Sequence, residues 1–220
     1  VVTAQDGTTT KTYSVAVIRA AAEVKDFSGI YNIRSKNSSL VMDVYGGGKD
    51  QGVNVIQWPF HGKENQQWKV ENVNNGYYKI TSVLSGLSID VYGGGTDLGN
   101  RVIQWPYHGG TNQQWKLIEN ADGTVSIMSR LAEESGTGYL LDVYGGGKDQ
   151  GVNVIQWTAH FGDNQKWYLD KVSEYTLTYE TNGGSAVASA QVGVQRLLTE
   201  PTSPTKAGSV FGGWYKDAAL

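Results

Sequence analysis

Apolar and polar residues alternate in short runs along most of this chain, and clusters of Gly, Asn and Asp separate the runs. Alternation with period two over four to eight residues marks a half-buried strand, and the clusters between are turn-formers. Residues 29–34, 40–45, 53–58 and 67–71 are the first four runs of the repeating part. No helical period of useful length appears. The pattern predicts an all-β protein of short strands and tight turns.

The strands come in a repeated set of four. The segment DVYGGGKDQGVNVIQWPFHGKENQQW, from Asp43 to Trp68, returns as DVYGGGTDLGNRVIQWPYHGGTNQQW from Asp90 and as DVYGGGKDQGVNVIQWTAHFGDNQKW from Asp142. The offsets are 47 and 52 residues. Upstream, Ser35, Ser82 and Ser129 align, so the extra length of the third copy falls between Ser129 and Asp142, where AEESGTG reads as an enlarged loop. Units this small cannot bury a core alone and must close around a shared axis. Three units of four strands predict a β-trefoil over residues 26–172.

The ends depart from the repeat. Residues 1–25 read as one hairpin and a small-residue linker, too little for a domain of its own. Residues 173–220 read as a strand, an Asn-Gly-Gly turn, a proline-bearing loop and a second strand around GGWY. Each end is expected to be part of a neighbouring β module.

Composition narrows the partners. The net charge of −3 gives no basic footprint, which argues against nucleic acid and anionic membrane. No apolar run is long enough to span a bilayer, so no membrane insertion is expected. The chain opens in mid-domain without a signal peptide, which leaves its location open. Cysteine is absent, which removes disulfides and thiolate metal sites. Neither a metal nor another cofactor is expected.

The candidate chemistry lies in the repeat, because all three histidines and six of the seven tryptophans fall at matched positions of the copies. A carboxylate beside a glycine-rich turn can accept hydrogen bonds from vicinal hydroxyls. An indole fifteen residues on offers a flat apolar face to the C–H face of a pyranose. An imidazole and an amide add donors and acceptors around the same groove. This set suits a neutral polyhydroxylated ligand better than a phosphate, since no cation joins it in every copy and no helix follows the glycines. The reading requires that carboxylate and indole converge on one guest at the surface. Structural alternatives stand beside it: the aspartates bracing the turn, the indoles packed as core, the histidines idle in a loop. Trp68, Trp115 and Trp167 read as core.

At these residues the chain resembles the ricin-B-like lectins, also classed as carbohydrate-binding module family 13. The NQQW, NQQW and NQKW endings are similar to that family's QxW repeat, over about two thirds of the chain. The resemblance implies sugar-bonding aspartates at Asp43, Asp90 and Asp142, stacking aromatics at Trp58, Trp105 and Trp157, and flanking polar residues at His61, His108 and His160. It further implies amides at Asn65, Asn112 and Asn164, with Gln66, Gln113 and Gln165 supporting the aspartates. Two departures matter. Ile56, Ile103 and Ile155 stand where many relatives carry a polar glutamine. Where relatives have a disulfide, the chain has Val41/Phe60, Ser88/Tyr107 and Leu140/Ala159, and packing is expected to replace it. The third copy also differs at Thr158-Ala159 and at Phe161, which follows His160 in place of glycine, so its site is the most doubtful.

The ends carry resemblances too. Residues 2–20 look like the closing hairpin of a bacterial cadherin-like sandwich, and residues 175–220 are similar to the Listeria–Bacteroides repeat. Together these imply a secreted or wall-attached bacterial protein of several modules, the chain acting as a monomer within it. The expected function is non-catalytic binding of galactose-like sugars, with xylan- or arabinan-type polymers or a protein partner as alternatives. Glycoside hydrolysis would need two facing carboxylates, and the repeat supplies one per copy, since Asp50, Asp97 and Asp149 belong to a turn. No copy places Ser or Cys reproducibly beside its His for acyl transfer.

Overall fold

A computed structural model of the chain describes residues 2–5, 10–13, 25–193 and 200–215. Strands β1 (Val2–Gln5) and β2 (Thr10–Tyr13) pair antiparallel as the expected N-terminal hairpin. The turn of that hairpin, the rest of its second run and the small-residue linker that follows, residues 6–9 and 14–24, lie outside the described residues.

Twelve strands then form one sheet. The first unit contains β3 (Gly29–Ser35), β4 (Val41–Val44), β5 (Val55–Trp58) and β6 (Trp68–Asn74). The second contains β7 (Tyr77–Ser82), β8 (Ser88–Val91), β9 (Val102–Trp105) and β10 (Trp115–Glu119). The third contains β11 (Val125–Ser129), β12 (Leu140–Val143), β13 (Val154–Trp157) and β14 (Trp167–Lys171). The outer strands of each unit close a six-stranded barrel, because β3, β6, β7, β10, β11 and β14 pair in a ring that ends with β14 against β3. The inner strands of each unit form hairpins, β4–β5, β8–β9 and β12–β13, that cap it. This is the β-trefoil the spacing predicts.

The core repeats with the sequence. Ile33, Ile80 and Ile127, then Val44, Val91 and Val143, then Val55, Val102 and Val154 form one buried cluster with Trp68, Trp115 and Trp167. Each of these indoles donates from Nε1 to a carbonyl of its own cap hairpin, at Met42, Ile89 and Leu141, so barrel and cap are joined by a satisfied polar contact inside the apolar core.

The seams between units rest on residues the sequence reading did not single out. Gln57, Gln104 and Gln156, each just before the half-buried tryptophan of a cap hairpin, are buried. The Gln104 side chain donates to the Gly48 and Asp50 carbonyls of the first unit at 3.0 and 2.8 Å. Gln156 does the same to Gly95 and Asp97, and Gln57 to Gly147 and Asp149. Backbone bonds run alongside, as from Gly52 N to Gln104 O and from Gln104 N to Val53 O. The contacts run the same way round at all three seams, so each unit fixes its neighbour's glycine-rich turn.

Two expectations are corrected. The enlarged loop of the third unit contains a short helix, α1 (Arg130–Glu134), because Ser129 Oγ accepts from Ala132 N and caps it. The C-terminal part forms β15 (Glu174–Leu177) against β16 (Ala190–Gly193), with the expected turn at Asn182, but residues 211–215 form no strand. There Trp214 instead packs its ring on Tyr179 and Phe211, at 5.0 and 5.2 Å between centroids.

Changing Gln104 to Ala removes two buried donors and strands two carbonyls. The loss should be about 2–3 kcal/mol of unfolding free energy, read from denaturant titration, whereas an exposed Gln51→Ala control should change little.

Candidate functional site

In each unit the cap hairpin presents one ordered row of side chains. Val41 pairs with Trp58 and Asp43 with Ile56 across β4–β5, so Asp43 and Trp58 share a face as diagonal neighbours, roughly 7–8 Å apart at their backbones. The second and third hairpins repeat this with Asp90 and Trp105, and with Asp142 and Trp157. Ile56, Ile103 and Ile155 are buried opposite the aspartates, and apolar contact stands there in place of a polar partner.

The carboxylates are not open to solvent, which corrects the surface picture drawn from the sequence. Asp43, Asp90 and Asp142 are only 3%, 3% and 2% exposed. Asn65 Nδ2 donates to Asp43 Oδ2 at 2.9 Å, Asn112 to Asp90 at 2.9 Å and Asn164 to Asp142 at 2.8 Å. The histidines lie over the same oxygens. Nε2 of His61, His108 and His160 stands 3.4, 3.8 and 3.5 Å from Oδ2 of Asp43, Asp90 and Asp142. Each Nδ1 accepts a backbone N–H, from Lys63, Gly110 and Gly162, so in the neutral ring the proton sits on Nε2 and points to the carboxylate.

The glutamines act from behind. Gln66, Gln113 and Gln165 are sealed from solvent, which closes direct sugar contact to them. Each spans the loop after the hairpin, accepting from the histidine N–H and donating to the carbonyl of Pro59, Pro106 or Thr158. Gln165 also donates to Asp142 at 2.8 Å. Thus aspartate, amide, imidazole and glutamine form one connected group in every unit, the third included, despite its sequence departures. Phe161 there adopts φ 52°, the left-handed region that its glycine counterparts Gly62 and Gly109 occupy freely, and its N–H gains a bond to Gln165 Oε1.

The tryptophans do two things at once. Trp58, Trp105 and Trp157 are half-buried, and each ring also lies against the next glycine-rich turn round the axis. An added Cβ at Gly151, Gly52 or Gly99 would stand 3.7, 3.8 or 3.3 Å from the ring. Gly47 opens the other flank: its φ of 64° requires glycine, and a side chain there would stand over the Asn65 amide. Of the pairs expected to replace a disulfide, Val41, Ser88 and Leu140 are buried opposite the tryptophans, whereas Phe60 and Tyr107 remain exposed.

Burial pushes the pKa of Asp43, Asp90 and Asp142 above the ordinary 3.8, and the amide hydrogen bonds only partly oppose this.

Comparison with known proteins places the chain. The ricin-type β-trefoil lectin domain-like family matches over three overlapping stretches, residues 17–105, 64–157 and 111–193. The chain belongs to this family. The Listeria–Bacteroides repeat domain matches residues 175–220. Among solved structures, the designed three-fold symmetric protein ThreeFoil is 38% identical with a TM-score of 0.62, covering 65% of this chain and 99% of that protein. An exo-β-1,3-galactanase of Clostridium thermocellum is 36% identical with a TM-score of 0.62, over 68% of this chain and 31% of the enzyme. A putative Gly-rich membrane protein of Evansella cellulosilytica is 42% identical over 55 residues, which are 25% of this chain and only 6% of that protein.

The raised pKa has a definite sign. A carboxyl whose folded pKa lies above its unfolded value costs stability once ionised, and that cost appears as pH rises from 3.8 through the folded pKa. The triple Asp→Asn variant at 43, 90 and 142 should therefore melt no lower than the wild type at pH 7, and the difference should shrink as the pH approaches 3.8. Thermal unfolding across pH checks this; a large loss at pH 7 would show that the carboxylates hold the fold together.

Proposed function

We propose that this chain is a non-catalytic carbohydrate-binding module that takes galactose-like sugars at up to three equivalent sites. The observation that carries the reading is the threefold recurrence of Asp, Asn and His in one hydrogen-bonded arrangement beside a half-buried indole. A protein partner is asymmetric and would draw on different residues in each unit, whereas a small repeated ligand draws on the same ones. The galactose-like choice rests on the 36% identity to a galactanase that acts on β-1,3-galactan, as its name states. Xylan- or arabinan-type polymers use the same hydroxyl chemistry and are the alternative.

In this reading the carboxylate is a buried anchor whose outer edge accepts a pair of sugar hydroxyls, and the asparagine amide and the histidine flank it. Trp58, Trp105 and Trp157 carry the apolar face of the ring. The glutamines hold the aspartates in place. A guest gripped by so few groups binds weakly, at about −4 to −6 kcal/mol per site. Three sites on one rigid body multiply retention on a polymer or a glycan-dense surface. The flanking hairpin of residues 1–25 and the repeat of residues 173–220 fit a secreted or wall-attached bacterial protein of several modules.

Retention on immobilised galactan should fall in steps as Asp43, Asp90 and Asp142 are changed to Asn singly, in pairs and together. Unchanged retention by the triple variant would reject the site. Retention should also decline as pH falls, with its midpoint above the ordinary aspartate value of 3.8, because protonation removes the charge that strengthens the bonds from sugar hydroxyls and turns one acceptor oxygen into a donor. A midpoint at or below 3.8 would show that the buried carboxylates are not the groups titrating.

A further inference from the structure

Each site has an aromatic neighbour that the motif comparison leaves unassigned. Tyr45, Tyr92 and Tyr144 follow Asp43, Asp90 and Asp142 by two residues. Tyr45 N donates to Asn54 O at 3.0 Å, and the same bond joins Tyr92 to Arg101 and Tyr144 to Asn153. Each hairpin is thereby extended by one rung, so the tyrosine lies beyond the aspartate on the side away from the tryptophan. Four strand residues separate the level of Trp58 from that of Tyr45, roughly 13 Å. That is more than one pyranose spans.

The tyrosines are held out into solvent. Tyr45 and Tyr144 are each 61% exposed. Neither makes a side-chain hydrogen bond or ring contact among the described residues. The glycine that follows each of them has a φ of 63°, and a Cβ placed there would meet nothing within 4 Å, so the backbone beside each tyrosine is open to solvent. The first and third units therefore each present a large aromatic that is mostly bare.

The second unit differs. At the positions of Asn54 and Asn153 it has Arg101, whose guanidinium lies 4.3 Å from the Tyr92 ring centroid and also donates to Asn54 Oδ1 at 3.3 Å. Tyr92 is correspondingly less exposed, at 49%. One of its faces is occupied by a cation of the same chain.

Resting on the sugar-binding reading above, we propose that Tyr45 and Tyr144 are second platforms, each receiving the sugar ring next to the one anchored at Asp43 or Asp142. The first and third units then prefer a chain of sugars to a single sugar. Arg101 covers the matching platform of the second unit, which binds the terminal ring alone. Stacking through the C–H face of a pyranose requires an uncovered ring, and only the first and third tyrosines offer one.

The test is calorimetric titration of the full chain with galactose and with β-1,3-galactotriose. The wild type should bind the trisaccharide about threefold to tenfold more tightly than the monosaccharide. The Y45A/Y144A double variant should lose that ratio, and Y92A should keep it. R101N, which installs the residue of the other two units, should add trisaccharide-preferring sites or raise the ratio. Melting temperatures verify that these surface variants fold. A ratio that survives in Y45A/Y144A, or a wild type that binds galactose without preferring the trisaccharide, overturns the platforms and leaves the anchor intact. An unchanged R101N overturns the role given to Arg101. A wild type that binds neither sugar overturns both this inference and the galactose-like choice on which it rests.

Discussion

A buried amide at each seam of the trefoil must find partners, and it finds them in the backbone of the neighbouring unit. Gln57, Gln104 and Gln156 each donate twice to carbonyls of the adjacent glycine-rich turn. Those carbonyls take a hydrogen bond from a buried amide of another unit, and a buried polar group left without its partner costs about 1–3 kcal/mol. All six of these bonds cross from one unit to another. The ring therefore closes as a whole, and the turn that shapes one site is held by the glutamine and tryptophan of the next unit. Fold closure and site geometry are the same set of contacts.

Within that frame the aspartates are an electrostatic liability. Their carboxylates are buried, their pKa is pushed up, and the charge is tolerated because an asparagine, a histidine and a glutamine surround it. A fold selected for stability alone would have an apolar or neutral residue there. A charged, costly group recurs at the same place in three units, and the proposed binding of sugar hydroxyls gives that recurrence a use.

The units are alike in chemistry and unlike in detail. Arg101 lies on Tyr92 in the second, while α1 and the left-handed Phe161 mark the third. None of these breaks the contacts from asparagine to aspartate. The framework tolerates them because they sit at loop ends and on the surface, outside the matched triplets of the core.

The twelve strands, the threefold grouping of Asp, Asn and His and the core tryptophans were legible in the sequence because each rests on a spacing that recurs: period two for strands, a repeated segment for closure, fixed intervals for Asp, His and Asn. The buried state of Asp43 was not legible. Burial is set by what packs over a residue, and here that includes side chains more than twenty positions away. The seam glutamines were missed for a similar reason: in VIQW they read as one polar step of a strand, and their partners lie in another unit. The cap on α1 had a visible signal in Ser129, obscured by the glycines that follow. Local pattern thus determined the strands and the triplication of the site, because both depend on neighbours in the chain. Only the tertiary structure decided which groups face inward and which unit holds which turn, because those follow from contacts across the threefold axis.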